Sequence, residues 1–353
     1  MLHDGLVTSG THEPVPNWPG ELVDLPGGER VFVASTAAQA LSRTDDANAA
    51  AGQRLNSGRE EDTEPVLCVH GMAGAATNWT ELMAELAADF DCAAIDLPGY
   101  GWSPPPATMA GYSIAALAAT VGGLIEHQGR GPVHLIGNSM GGLIAVKLAA
   151  SRPDLVRTLT LISPAMPDPL IRPALARIPL LGLPVVGSWL LRRSDGFPAQ
   201  ARVTGVMSMV FHDPGAVHPE RLREAVAEME RRDQLGYANK PLVGAARAIT
   251  SEYLRPDRAP GNAWRLAAAV SCPVLAIYGS HDQLVNPKMA GRAARAFRDC
   301  RVIVLPYTGH VAQMEHPARV AAEFRELART ARIVARGMPA EPAGFQGITE
   351  TSR

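Results

Sequence analysis

The stretch "HLIGNSMGGLIAV", His134 to Val146, decides the fold. An apolar, strand-like run meets a helix-like run, and a lone serine, Ser139, sits between glycines at the junction. The G-x-S-x-G spacing is weak alone: with 33 glycines in 353 residues, composition would produce it in roughly one such chain in seven. Its setting carries the information. A strand, a sharp turn and a helix are what a nucleophile elbow requires. Gly137 and Gly141 then have a steric reason, because residues two positions either side of the serine must lack side chains for the chain to close. Such a turn lifts the serine Oγ clear of the sheet edge. It also aims the Met140 N–H and the start of the helix at an incoming oxyanion.

Working outward, short apolar runs alternate with helical periodicity. Strands are predicted at "PVLCVH" (65–70), "DCAAIDL" (91–97), "PVHLIG" (132–137) and "VRTLTLIS" (156–163), with helices near 78–89, 113–128 and 140–152. Ser113 is the expected N-cap of the second helix. Strands without polar alternation imply a mostly parallel sheet covered on both faces, an α/β fold. "ELVDLP" and "RVFVAS" around Gly27-Gly28 predict a preceding β-hairpin.

The alternation stops at Pro164. Residues 165–265 read as helices broken by proline and glycine, among them "PERLREAVAEMERRDQL" with Leu222, Ala225, Val226 and Met229 on one face. Strands resume at "CPVLAIYG" (272–279) and "CRVIVLP" (300–306), and a long amphipathic helix follows from Pro317 to about Ala335. The expected organisation is a polar lead-in (1–20), a first core part (21–164), a helical segment (165–265), a second core part (266–336) and a tail (337–353). Within the first part, 37–64 is polar and nearly free of large apolar residues, as in a surface insertion.

A serine nucleophile needs a base, and the base an acid. In folds of this kind they follow in the order Ser, acid, His. Asp282 in "YGSHDQLV" lies just beyond one strand, and His310 in "LPYTGHVAQMEHP" just beyond the next. Both are expected at the carboxyl edge of the sheet, where Ser139 lies. His281 precedes the acid and lacks the strand, Gly-His, helix setting. His316 reads as a capping or structural residue, and His70 as structural. His212-Asp213 in "VFHDPGAVH" lacks the spacing of a metal site. In "LCVHGMAGAATNW" (67–79) a strand ends in His70-Gly71 and turns through small residues. That close approach frees the Met72 N–H to form, with Met140, a two-donor oxyanion hole.

These landmarks together closely resemble the α/β-hydrolase superfamily across residues 21–336: "HGMAGAATNW", "DLPGYGWS" (96–103), "GNSMGG" (137–142), "GSHDQLV" (279–285) and "TGH" (308–310) occur in order. The resemblance implies that 165–265 is a helical cap over the site. Ser139 argues against the epoxide hydrolases and haloalkane dehalogenases, which use an aspartate. "GNSMGG" and "GHVAQMEHP" are similar to meta-cleavage-product C–C hydrolases. The oxyanion loop departs from their glycine- and proline-rich pattern, and Val311 stands where they carry an aromatic residue. Bacterial carboxylesterases and monoacylglycerol-lipase-like enzymes are also similar. The expectation is a serine hydrolase of lipophilic esters, with C–C hydrolysis, acyl transfer and a non-enzymatic ligand receptor as alternatives. No metal or organic cofactor is expected.

Composition narrows the partners. A formal net charge of −2 carries no basic footprint for nucleic acid. Cys68, Cys92, Cys272 and Cys300 are widely spaced and read as small hydrophobes. No secretory signal pattern opens the chain. The longest uncharged apolar run, "IPLLGLPVVGSWLL" (178–191), has 14 residues with two prolines and two glycines, too short and broken to span a bilayer. A cytoplasmic protein is expected, with a lipophilic small-molecule substrate. The apolar segment at 165–265 could line an acyl or aromatic pocket, pack onto the core, or rest on a membrane surface.

Overall fold

The computed structural model describes residues 15–37, 63–169, 172 and 177–335. Most of the lead-in, nearly all of the polar 37–64 stretch and the tail lie outside the described residues. The hairpin forms as the sequence predicts: β1 (Gly20–Asp24) pairs antiparallel with β2 (Arg30–Ser35), and Gly27 and Gly28 turn it at positive φ. The alternation follows as β3 (Glu64–Val69), α1 (Thr80–Leu86), β4 (Phe90–Ile95), α2 (Ile114–His127), β5 (Val133–Asn138), α3 (Met140–Ser151) and β6 (Val156–Ile162). Ser113 caps α2, its hydroxyl accepting from the Ala116 N–H at 3.2 Å.

Helices occupy the next hundred residues: α4 (Ile178–Leu181), α5 (Pro184–Ser194), α6 (Ala199–Val210), α7 (Pro219–Asp233), α8 (Lys240–Tyr253) and α9 (Ala263–Ala269). No strand interrupts them among the described residues. The core resumes with β7 (Val274–Gly279), α10 (Met289–Ala296), β8 (Cys300–Leu305), the single turn α11 (Ala312–Glu315) and α12 (Pro317–Ala335). No helix among the described residues is long and apolar enough to cross a membrane.

The eight strands form one sheet in the order β1-β2-β4-β3-β5-β6-β7-β8, parallel from β4 to β8. Placing β3 between β4 and β5 brings the ends of β3 and β5 side by side, with Val69 opposite Gly137. Apolar strands are explained by burial on both faces. Leu67, Val69, Ile95 and Leu135 face a core shared with α2, α3, α9 and α10. Val66, Cys68, Cys92 and Ile136 face the opposite core, built with α1 and α12 around Trp79, Leu82, Met83 and Phe324. Each such large apolar side chain contributes about 1.5–3 kcal/mol on burial. All four cysteines are free, and burial pushes their thiols up in pKa. They behave as the small hydrophobes their spacing suggests.

The tightest contact in the core is backbone on backbone. A Cβ on Gly141 would stand 2.1 Å from the Val69 carbonyl oxygen and 2.5 Å from that of His70. One on Gly137 would stand 2.5 Å from the Gly141 oxygen. Neither neighbour can rotate away. By contrast, Gly123 lies inside α2, and a methyl group there would have nothing within 4 Å. G141A is therefore expected to destabilise the fold by about 3 kcal/mol or more. G123A is expected to stabilise it by about 0.5–1 kcal/mol through reduced unfolded-chain entropy. Urea unfolding of the two variants beside the parent chain checks both signs.

Candidate active site

Ser139 stands between β5 and α3 at φ 55°, ψ −117°, a conformation that L-residues rarely adopt. Strain of this kind is of order 1–3 kcal/mol and persists only where the surroundings dictate it. Here they do. The Ser139 N–H donates to the Ile162 carbonyl at 3.0 Å, and its own carbonyl accepts from Leu143 and Ala165. Asn138, buried beside it, donates through Nδ2 to the carbonyl oxygens of Ile162 and His310, both at 3.1 Å. That side chain ties the turn to the end of β6 and to the loop after β8.

The structure brings Asp282 and His310 within hydrogen-bond distance of each other. Asp282 lies just past β7. Its Oδ1 accepts from the Leu284 and Val285 N–H groups at 2.8 and 2.9 Å, while Oδ2 lies 2.8 Å from His310 Nδ1. Both residues are buried. Burial pushes the Asp282 pKa up, but the charge and hydrogen bond of His310 and the Val285 N–H outweigh it, so the carboxyl is held below its usual range. Ser163, wholly buried at φ 43° past β6, adds to this effect. With Nδ1–H given to Asp282, the lone pair of His310 lies on Nε2. Among the described residues no hydrogen bond joins that nitrogen to the half-buried Ser139 hydroxyl. Contacts of this type commonly tighten only once substrate is bound.

The third loop follows β3. Gly71 approaches the elbow so closely that a Cβ there would stand 3.0 Å from that of Ser139. The next residue, Met72, and the first residue of α3, Met140, have N–H groups without a hydrogen-bond partner among the described residues. Ala73 adopts φ 63°. The buried Asp96 carboxylate accepts from Ala76 N–H at 2.6 Å and Trp102 N–H at 2.8 Å, joining this loop to "DLPGYGWS". Burial raises its pKa to about 6 against those two hydrogen bonds. His70 is structural: Nδ1–H donates to the Gly71 carbonyl, Nε2 accepts from Leu97 N–H, and burial lowers its pKa to about 4. The site therefore combines a strained serine, a buried Asp-His pair and two free N–H donors. Such a set can run acyl-group chemistry.

The other candidates are placed elsewhere. His281 bonds Ser280 and lies against His212 and Tyr307 in an exposed ring cluster, with the His212 and His281 centroids 4.2 Å apart. Asp213 caps a short turn through the Gly215 N–H. His316 ends α11. Sequence reasoning missed Asn138, Ser163 and Glu315. Glu315 accepts from the N–H groups of Gly309 and His212, both at 2.8 Å, so it joins the loop carrying His310 to the end of α6. The motif "GHVAQMEHP" contained that glutamate, but gave no sign of its partner 103 residues away.

Comparison with known proteins agrees with the architecture. A family model described as alpha/beta hydrolase fold matches residues 64–317. The chain is 29% identical over 71% of its length to the dihydrolipoyllysine-residue acetyltransferase component of the acetoin cleaving system of Cupriavidus necator. It spans only 60% of that relative's length. It is 26% identical over 78% of its length to a pimeloyl-[acyl-carrier protein] methyl ester esterase of Neisseria meningitidis, covering 96% of that protein. Among solved structures, 2-hydroxy-6-oxo-6-phenylhexa-2,4-dienoate hydrolase from Rhodococcus sp. superposes with a TM-score of 0.66 at 18% identity. That match covers 88% of this chain and 100% of the other, and is a likeness of fold.

Because the Asp282 carboxyl has a lower pKa in the folded protein than in the unfolded chain, its contribution to stability is fully present above about pH 4. It is lost as pH falls through the folded value. D282N should be less stable than the parent chain by about 1–3 kcal/mol at neutral pH. The gap should narrow at about pH 3. Paired urea titrations at the two pH values measure it.

Proposed function

The chain belongs to the alpha/beta hydrolase fold family, and on that premise we propose that it is a serine hydrolase cleaving carboxylic esters of lipophilic small molecules. The observation that carries this reading is Ser139, held at positive φ at the head of α3 beside two unpartnered N–H groups. Hydrogen-bond donors left free at a strained nucleophile suit a tetrahedral oxyanion.

In this reading Ser139 Oγ attacks the acyl carbon as His310 Nε2 takes its proton. Asp282 holds the Nδ1–H and stabilises the imidazolium. The Met72 and Met140 N–H groups bind the developing oxyanion, and loss of one such donor typically costs about 3–4 kcal/mol in the transition state. The imidazolium then protonates the leaving alkoxide, and the alcohol departs. His310 next removes a proton from water, whose oxygen attacks the acyl-enzyme. Return of that proton to Ser139 releases the acid. The cycle draws on no metal or organic cofactor. Met140, Val311 and Phe211, next to the site residues in sequence or in the adjoining α6 end, are buried and apolar, which suits a lipophilic acyl group. The esterase relative in Neisseria, matched along nearly its whole length, supports ester chemistry over the alternatives.

Labelling with a fluorophosphonate should modify Ser139, and S139A should abolish it. Turnover of p-nitrophenyl acyl esters should fall about 10³-fold or more in S139A. Labelling that persists in S139A would move the nucleophile elsewhere. A chain inert to every ester but active on a ring-cleavage dienoate would shift the reading to C–C hydrolysis.

A further inference from the structure

Helix α5 turns much of its apolar surface away from the protein. Its inner face consists of Gly187, Leu190, Leu191 and Ser194, at helical spacing and buried or half-buried. That contact is closed against backbone, since a Cβ on Gly187 would stand 1.9 Å from the Leu181 carbonyl oxygen. The outer face carries Val185, Val186, Trp189, Arg192 and Arg193. Val185 is 78% exposed and Trp189 52%. Leu180 and Leu183 before the helix and Phe197 after it are exposed too. Scattered exposed hydrophobes are ordinary; a cluster within one short segment marks a contact surface.

The charges at this face identify what it contacts. Arg192 and Arg193 are exposed, and among the described residues neither pairs with a carboxylate. The Arg193 guanidinium lies 5.7 Å from the Trp189 ring centroid. Elsewhere in the helical segment Arg202, Arg221 and Arg231 pair with Asp or Glu, while Arg177, Arg247 and Arg258 are exposed without a carboxylate partner among the described residues. We infer that the outer face of α5, with Leu180, Leu183 and Phe197, docks onto the surface of an anionic lipid bilayer. A short helix with aliphatic groups to sink below the headgroups, an indole for the interface and free guanidinium groups for phosphates meets that surface in each respect. A second copy of the chain fits less well. Two-fold pairing through this face would gather four unpaired guanidinium groups against only the Asp195 carboxylate at each helix end, which already lies 3.5 Å from Arg202. The inference does not rest on ester chemistry.

The test is flotation of the full chain with vesicles of phosphatidylcholine alone and of equal parts phosphatidylcholine and phosphatidylglycerol, at low and high salt. The parent chain should float with the mixed vesicles at low salt and lose most of that binding at high salt. R192Q/R193Q should weaken binding to mixed vesicles roughly 30-fold, equivalent to about 1 kcal/mol per arginine. V185D/W189D should abolish it. Unchanged melting transitions verify that the variants fold, so the result stands whether or not the chain hydrolyses esters. No binding of the parent chain to mixed vesicles overturns the inference, as does binding that neither variant alters. Loss of a dimer in V185D/W189D by light scattering, without vesicle binding by the parent, would assign the face to self-association and also overturns it.

Discussion

The first turn of α3 runs so near the end of β3 that only hydrogen fits at Gly141 beneath the Val69 carbonyl oxygen. Much of the candidate site depends on this contact. It brings the loop after β3 against the elbow after β5, so that a Cβ on Gly71 would stand 3.0 Å from that of Ser139. The strand order makes the contact available, because β3 and β5 are neighbours although β4 lies between them in sequence. Sheet order and glycine placement are thus one constraint expressed at two scales. A larger residue at Gly141 would push the end of β3 away from the elbow as well as strain the core.

Backbone strain is distributed along the same edge. The non-glycine residues at positive φ among those described are Ala73, Ser139, Ser163 and Tyr307. Each lies in the loop following one of the parallel strands β3, β5, β6 and β8. Strain of about 1–3 kcal/mol at each is held by the strands that end there: Ser139 N–H bonds to β6 through Ile162, and Ser163 N–H to β7 through Ile277. A buried parallel ladder is rigid enough to impose such conformations, and isolated loops are not. The candidate site residues Ser139, Asp282 and His310 lie in loops along this same edge, where the sheet can hold an unfavourable backbone.

This also explains what the sequence disclosed. Strands buried on both faces lack polar alternation, so β3 to β8 stand out as apolar runs, with ends within a residue or two of those observed. Ser139, Asp282 and His310 were legible because each follows directly on such a strand, and strand ends share an edge. Asn138, Ser163 and Glu315 were not, because their roles lie in contacts with groups remote in sequence; Asn138 reaches a carbonyl 172 residues away. The apolar richness of 178–191 was visible too, but the sequence left open whether it lines a pocket, packs onto the core or rests on a membrane surface. Which way an amphipathic segment turns is decided by its neighbours, here by a glycine that seats the opposite face on Leu181.

The helical insertion also contributes to the backbone around the base. The His310 N–H donates to the Val210 carbonyl at the end of α6, at 2.7 Å. Gln283, next to Asp282, donates to the Ser208 carbonyl in the same helix. Glu315 then closes a loop of contacts from Gly309 to His212. Burial raises the Glu315 pKa against those two hydrogen bonds. Any outward movement of α6 would remove the His212 and Val210 partners together and leave an under-satisfied carboxylate beside the His310 loop. The position of α6 and the alignment of the imidazole are therefore coupled through ordinary hydrogen bonds. The insertion acts as part of the frame that holds the Asp-His pair, in addition to whatever it covers.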